Sequence, residues 1–155
     1  MSENIKDVKK ALAIEKLENE LSEERTEWNK ILTLLAKGIN DELRKTMQVD
    51  AEAVSRRQEI TELIAVYSYE INKMMPEIKN KKKELFEFYA TRYQIKTNGS
   101  EKNKLVDADM GYAESKVVAY ENHIEFLIES RKTVDHVIWS IKNKIELYNI
   151  TQMIG

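Results

Sequence analysis

Lys79, Lys81, Lys82 and Lys83 place four ammonium groups within five residues, and Phe86, Phe88, Tyr89 and Tyr93 follow within the next ten. Cations beside planar rings are what phosphate contact and base stacking require, so this stretch is where an unpaired nucleic-acid strand would be held. Arg92, Lys96, Lys102 and Lys104 extend the track. Residues 71–104 carry nine basic against four acidic side chains, a local charge of +5. Residues 105–130 carry six acidic against one basic, a local charge of −5, so the formal net charge of −2 conceals a strong internal separation. The stacking candidates are Phe86, Tyr89 and Tyr93, whereas Phe88 falls on an apolar seam and is expected to pack. A second reading stands beside this one. Lysines facing an acidic helix also serve as flanking pairs that set register, and aromatics at helical spacing are commonly core. The run 79–83 covers several faces of one turn and cannot all pair with a single neighbour, which leaves an anion-binding surface and a merely solvated face both open.

Catalytic chemistry finds little to work with. His123 and His136 are the only histidines, thirteen residues apart, with no metal-ligand spacing between them. Both flank the seam of one long helix, the placing of a satisfied or exposed interface histidine. Asp107 with Asp109, and Glu121 with Glu125, are within mutual reach, but a metal site in a helical bundle needs facing Glu-x-x-His elements, which are missing. There is no cysteine, no Gly-rich phosphate loop and no nucleophile elbow. No catalytic residue, metal or cofactor is therefore expected, and the chain reads as a protein that binds rather than an enzyme.

The elements that must position these groups are helices. Val106, Met110, Ala113, Val117, Tyr120, Ile124, Leu127, Arg131, Val134, Ile138, Ile141, Ile145 and Tyr148 step by alternating four and three residues, a heptad seam broken in apolar character only by Arg131. A helix of that span, about 65 Å at 1.5 Å per residue, has more apolar edge than a small core covers and must lie against other long helices. The part from Tyr120 to Ile145 is the expected oligomer seam, with Arg131 setting register or pairing with Glu129 or Asp135. With four glycines, one proline and 34% charged residues among 155, the fold class is all-α, a long antiparallel helical hairpin or coiled-coil bundle that oligomerises.

Three helices are predicted. The first runs from about Asn4 to Lys45 on a stripe through Ile5, Val8, Leu12, Leu17, Leu21, Trp28, Ile31, Leu35, Ile39 and Leu43, weakest at the six polar residues 22–27. Residues 1–27 are expected to be a helical extension that frays until a partner covers it, and residues 28–155 the bundle domain. A link at Gln48, Val49 and Asp50 follows, with Asp50 as N-cap. The second helix steps through Ile60, Ile64, Tyr67, Ile71, Met74, Ile78, Lys81, Leu85, Phe88, Arg92 and Ile95, and Pro76 should kink or restart it. Thr97, Asn98, Gly99 and Ser100 form the clearest turn before the third helix. The opening MSENIKDVKK lacks an apolar signal core and no stretch is apolar enough to span a membrane, so a cytoplasmic protein without a membrane partner is expected.

The lysine-led segment Leu85-Phe-Glu-Phe-Tyr89, followed by a loop and by Leu105-Val-Asp-Ala-Asp109 opening a long helix, resembles the UvsY-type recombination mediators of tailed phages. The likeness covers roughly residues 60–150. It implies a small helical protein that forms a ring-like homo-oligomer, binds single-stranded DNA, displaces single-strand-binding protein and loads a RecA-like recombinase, in the cytoplasm of the infected host. Where the family has a lysine and an arginine two positions apart before its aromatic pair, Lys83 matches the first and Leu85 stands at the second. Lys79, Lys81 and Lys82 would then supply the missing charge. The first fifty residues match nothing in that family and read as a partner-binding extension. The alternative is a structural coiled-coil component, such as a particle, scaffold or host-interaction protein, whose lysines only confer solubility and register.

Overall fold

The computed structural model describes residues 2–92 and 98–154. It consists of three helices, α1 (Ser2–Gly38), α2 (Leu43–Thr91) and α3 (Gly99–Ile154), and no strand occurs among the described residues. The all-α class read from the heptad spacing is what the chain adopts. The chain divides into two packed units, Met1–Glu20 with Tyr67–Asn122, and Leu21–Val66 with His123–Gly155, so each helix contributes to both.

In the first unit, Ile78 of α2 is buried with Val106, Met110 and Val117 of α3, and Ile71, Met74, Leu85, Tyr89 and Ala113 pack around them. Tyr67 lies against Tyr120, ring centroids 5.6 Å apart, and Tyr89 donates to Asp109, so α2 and α3 run antiparallel here. In the second unit the buried hydrophobic residues include Leu21, Trp28 and Leu35 of α1, Ala53 and Ile60 of α2, and Leu127, Val134, Val137 and Ile141 of α3. Arg57 pairs with Asp135 at 2.5 Å, and the Arg131 guanidinium donates to the Thr61 hydroxyl at 3.4 Å, again an antiparallel register. Arg131 thus makes its cross-helix contact with a hydroxyl, because Asp135 is taken by Arg57 and Glu129 by Lys132.

Every seam position of α3 from Val106 to Ile145 is buried or half-buried within the single chain. A second row, Ala119, His123, Ser130 and Val137, is buried beside it. Two adjacent rows mean that α3 faces two helices, which widens the apolar stripe beyond the two-per-heptad seam of a simple coiled coil.

Three boundaries differ from the sequence reading. The first link falls at residues 39–42, and Gln48, Val49 and Asp50 lie inside α2. The reversal occurs where a side chain is missing: a Cβ on Gly38 would stand 2.5 Å from a Val49 methyl, so only glycine admits this approach. The α2 helix is continuous through Pro76, so the chain does not restart there. Of the expected turn 97–100, Thr97 lies outside the described residues, Asn98 is the N-cap, and Gly99 and Ser100 already belong to α3. The Asn98 side chain accepts from the Glu101 N–H at 2.8 Å while the Glu101 carboxylate accepts from the Asn98 N–H at 3.0 Å, a reciprocal capping box. Residues 5–12, expected to fray, are helical with Ile5, Val8 and Leu12 exposed, whereas Ile14 and Leu17 are already half-buried.

Candidate nucleic-acid interface

The four lysines of 79–83 are distributed around α2 by its 3.6-residue turn and meet different surroundings. Lys82 faces α3 and is ion-paired with Glu114. Its hydrogen bond to Glu114 raises the ammonium above the ordinary lysine pKa, burial opposes this, and the nearby Glu114 and Asp107 charges add to the rise. Lys81 lies 3.7 Å from Glu84 on its own helix. Lys79 and Lys83 are exposed and have no ion pair among the described residues. With Phe86, 43% exposed, they form one outward stripe at spacings of four and three. Lys79 also borders an apolar groove beside Met75 and Pro76.

The other candidates spread away from this stripe. Arg92 and Lys104 are exposed and Lys102 is half-buried, while Tyr93 and Lys96 lie outside the described residues. Tyr89 is half-buried against the Ile78 core, and its hydroxyl donates to Asp109 at 2.5 Å, so this ring serves the α2–α3 packing. Phe88, expected in the core, is 43% exposed and meets Tyr89 edge-on. The reason is a drift of the stripe. A straight α-helix slips about 20° per heptad against a strict 3.5-residue repeat, and after several heptads the inward positions move by one. The inward row in α2 is therefore Ile78, Lys82, Leu85 and Tyr89, and Lys81 and Phe88 leave the seam.

One cluster of buried polarity was only half legible in the sequence. His123 is fully buried in the second unit, with Nε2 2.5 Å from Glu24 and Nδ1 3.1 Å from the Arg25 guanidinium. Arginine can only donate, so Nδ1 must accept and the ring proton sits on Nε2, donating to the carboxylate. Burial lowers the pKa of the ring, and Arg25 adds to that, while the Glu24 hydrogen bond and charge oppose it. The signal was present in two places: the polar break at 22–27 in the α1 stripe and a histidine beside the α3 seam. Matching one to the other required the packing. His136 is exposed and stacks on Trp139, centroids 6.0 Å apart.

Among the described residues, no group of three or more His, Asp or Glu side chains is placed to hold a metal ion, and no helix is long and apolar enough to cross a membrane. No protein-family model matches the chain, nor does any curated protein or solved structure.

Proposed function

We propose that this is a non-catalytic accessory protein that binds single-stranded DNA without sequence preference and helps load a RecA-like recombinase. The observation that carries the reading is the exposed stripe of Lys79, Lys83 and Phe86, two cations with no ion pair among the described residues and a ring on one face of α2. Phosphates on the lysines and a base on the ring give the sequence-tolerant mode of single-strand binding. Arg92, Lys102 and Lys104 add exposed or half-exposed charge to the same region of the sequence. The test is fluorescence anisotropy of a labelled single-stranded oligonucleotide at low and raised salt, with a duplex control. The expected result is salt-sensitive binding that prefers the single strand and weakens at least about tenfold in Lys79→Glu/Lys83→Glu, with helicity unchanged. Equal binding by the double variant would overturn it.

A structural coiled-coil role is the second reading, and the Lys82–Glu114 pair between α2 and α3 favours it, because it gives one lysine of the run to interhelical register, while Lys81 is taken up by Glu84 on its own helix. Absence of binding at low salt would select it. Self-association belongs to the proposal under either reading. Since the chain itself covers Tyr120 to Ile145, the surface we assign to a second copy is the outward row Trp139, Leu147, Ile150 and Ile154 of α3, each more than half exposed.

A further inference from the structure

Lys82 and Glu114 meet at one edge of the contact between α2 and α3, and the Asp107 charge also acts on the Lys82 ammonium. Stepping from that pair by threes and fours traces a further row on each helix. On α2 the row is Met75, Lys79, Lys82 and Phe86, with Lys83 beside it; on α3 it is Asp107, Gly111, Glu114, Val118 and Glu121. Both rows belong to the first unit. α1 lies on the other flank of the α2–α3 contact, where Lys10 and Ala13 line a cleft with Lys81 and Lys116. The two rows are accordingly uncovered: Lys79, Lys83, Asp107 and Glu121 are exposed, and Met75, Phe86 and Val118 are 49%, 43% and 50% exposed. Gly111 is a separate sign. A glycine inside a helix costs stability relative to alanine, yet nothing packs within 4 Å of where its Cβ would stand, so no contact among the described residues calls for the missing side chain.

One face therefore carries a basic row on α2 beside an acidic row on α3, and that pattern selects the occupant. A two-fold axis across the helices would lay lysine on lysine, whereas an axis parallel to them lays α2 of each copy on α3 of the other, lysine on carboxylate. Such an axis preserves height. Counting in opposite directions from Lys82 and Glu114, Lys83 is level with Ala113, Phe86 with Met110 and Lys79 with Val117. Phe86 of one copy then stands over the Gly111 notch of the other, Lys83 reaches Glu114, and Lys79 comes within about one turn, roughly 5.4 Å, of Glu121. We propose that a second copy of this chain docks on this face about a two-fold axis parallel to α2 and α3. The contact is separate from the outward row of α3 that includes Trp139 and Leu147, and it takes up Lys79, Lys83 and Phe86, the groups assigned above to a strand. Pairing and strand binding are therefore alternatives, an exclusion that rests on the single-strand reading, while the contact itself stands without it.

The test is sedimentation velocity at low and raised salt on the full chain carrying Leu147→Lys/Ile150→Lys, exposed substitutions that silence the outward row, with circular dichroism to follow helicity. The expected result is a dimer that raised salt dissociates and that Lys79→Glu and Glu121→Lys each weaken by roughly tenfold or more. An equimolar mixture of those two variants should recover the dimer, because every facing pair of charges is again opposite in sign. Gly111→Arg enters open space in the single chain but fills the Phe86 seat, so it should abolish the dimer with helicity unchanged. A monomer in the parent at low salt, or an unaltered dimer in all three variants, overturns the contact. Loss in both charge variants without recovery in their mixture overturns the axis. A single-stranded oligonucleotide should dissociate the pair. If it binds and the pair persists, the shared use of the lysines is overturned; if none binds while the charge variants behave as expected, the single-strand reading falls and the contact stands.

Discussion

His123 is the residue on which local chemistry bears most directly. Its ring is neutral, donates to Glu24 and accepts from Arg25, and protonation would turn Nδ1–H against a guanidinium that can only donate. Because burial lowers its folded pKa below the unfolded value of about 6.5, the unfolded chain takes up the proton first. The stabilising contribution is therefore complete above about pH 6.5 and is lost as pH falls through the lowered folded value. Urea denaturation across this range should show a decline that His123→Gln flattens. A parallel decline in wild type and variant would assign it to other groups. Glu24→Ala leaves the buried Nε2–H without its carboxylate and should cost about 1–3 kcal/mol in the same assay at neutral pH.

At the scale of elements, the first turn and the proline make the sharpest predictions. Gly38 closes α1 against Val49, and the Lys144 ammonium of α3 donates to the carbonyls of Ile39 and Asp41 and to the Thr46 hydroxyl. A cation seated on the link carbonyls just past α1 satisfies acceptors outside the helix ladder and lies near the negative end of the α1 dipole. Lys144→Met should lower stability by about 1–3 kcal/mol. Gly38→Ala should cost about 1–3 kcal/mol through the clash, and Val49→Ala should recover much of it, a coupling that a double-mutant cycle measures. Pro76 sits in an unbroken helix, exposed, where it removes one ladder hydrogen bond. Pro76→Ala should raise the thermal midpoint and add up to about 3 kcal/mol. An unchanged midpoint would mean that packing around Pro76 already compensates.

For the whole molecule the open quantity is its mass in solution. The sequence reading placed the oligomer contact on the Tyr120 to Ile145 seam with Arg131 as a register device. In the single chain that seam is covered and the Arg131 guanidinium reaches Thr61. If the outward row of α3 carries the association, Leu147→Lys/Ile150→Lys should reduce the mass measured by light scattering, whereas Arg131→Leu should leave it unchanged. The reverse pattern would return the contact to the seam. Either result is read with circular dichroism, since both sets of positions lie in α3.

The all-α class and the long α3 seam were legible in the sequence because heptad spacing and the scarcity of Gly and Pro are local properties that no tertiary contact needs to supply. The expectation that the lysine run could not pair with one neighbour also follows from helix periodicity, and Lys79 and Lys83 are the two without an ion pair among the described residues. What only the tertiary structure decided are relations between segments far apart in the chain. The phase drift that brings Lys82 inward and Phe88 outward accumulates over several turns. The first reversal depends on Val49 and Lys144 meeting Gly38 and the carbonyls after it, so no local turn signal marks it. Likewise, the polar break in α1 becomes a hydrogen-bonded cluster only when His123 is packed against it, because a buried imidazole needs partners that lie about a hundred residues away.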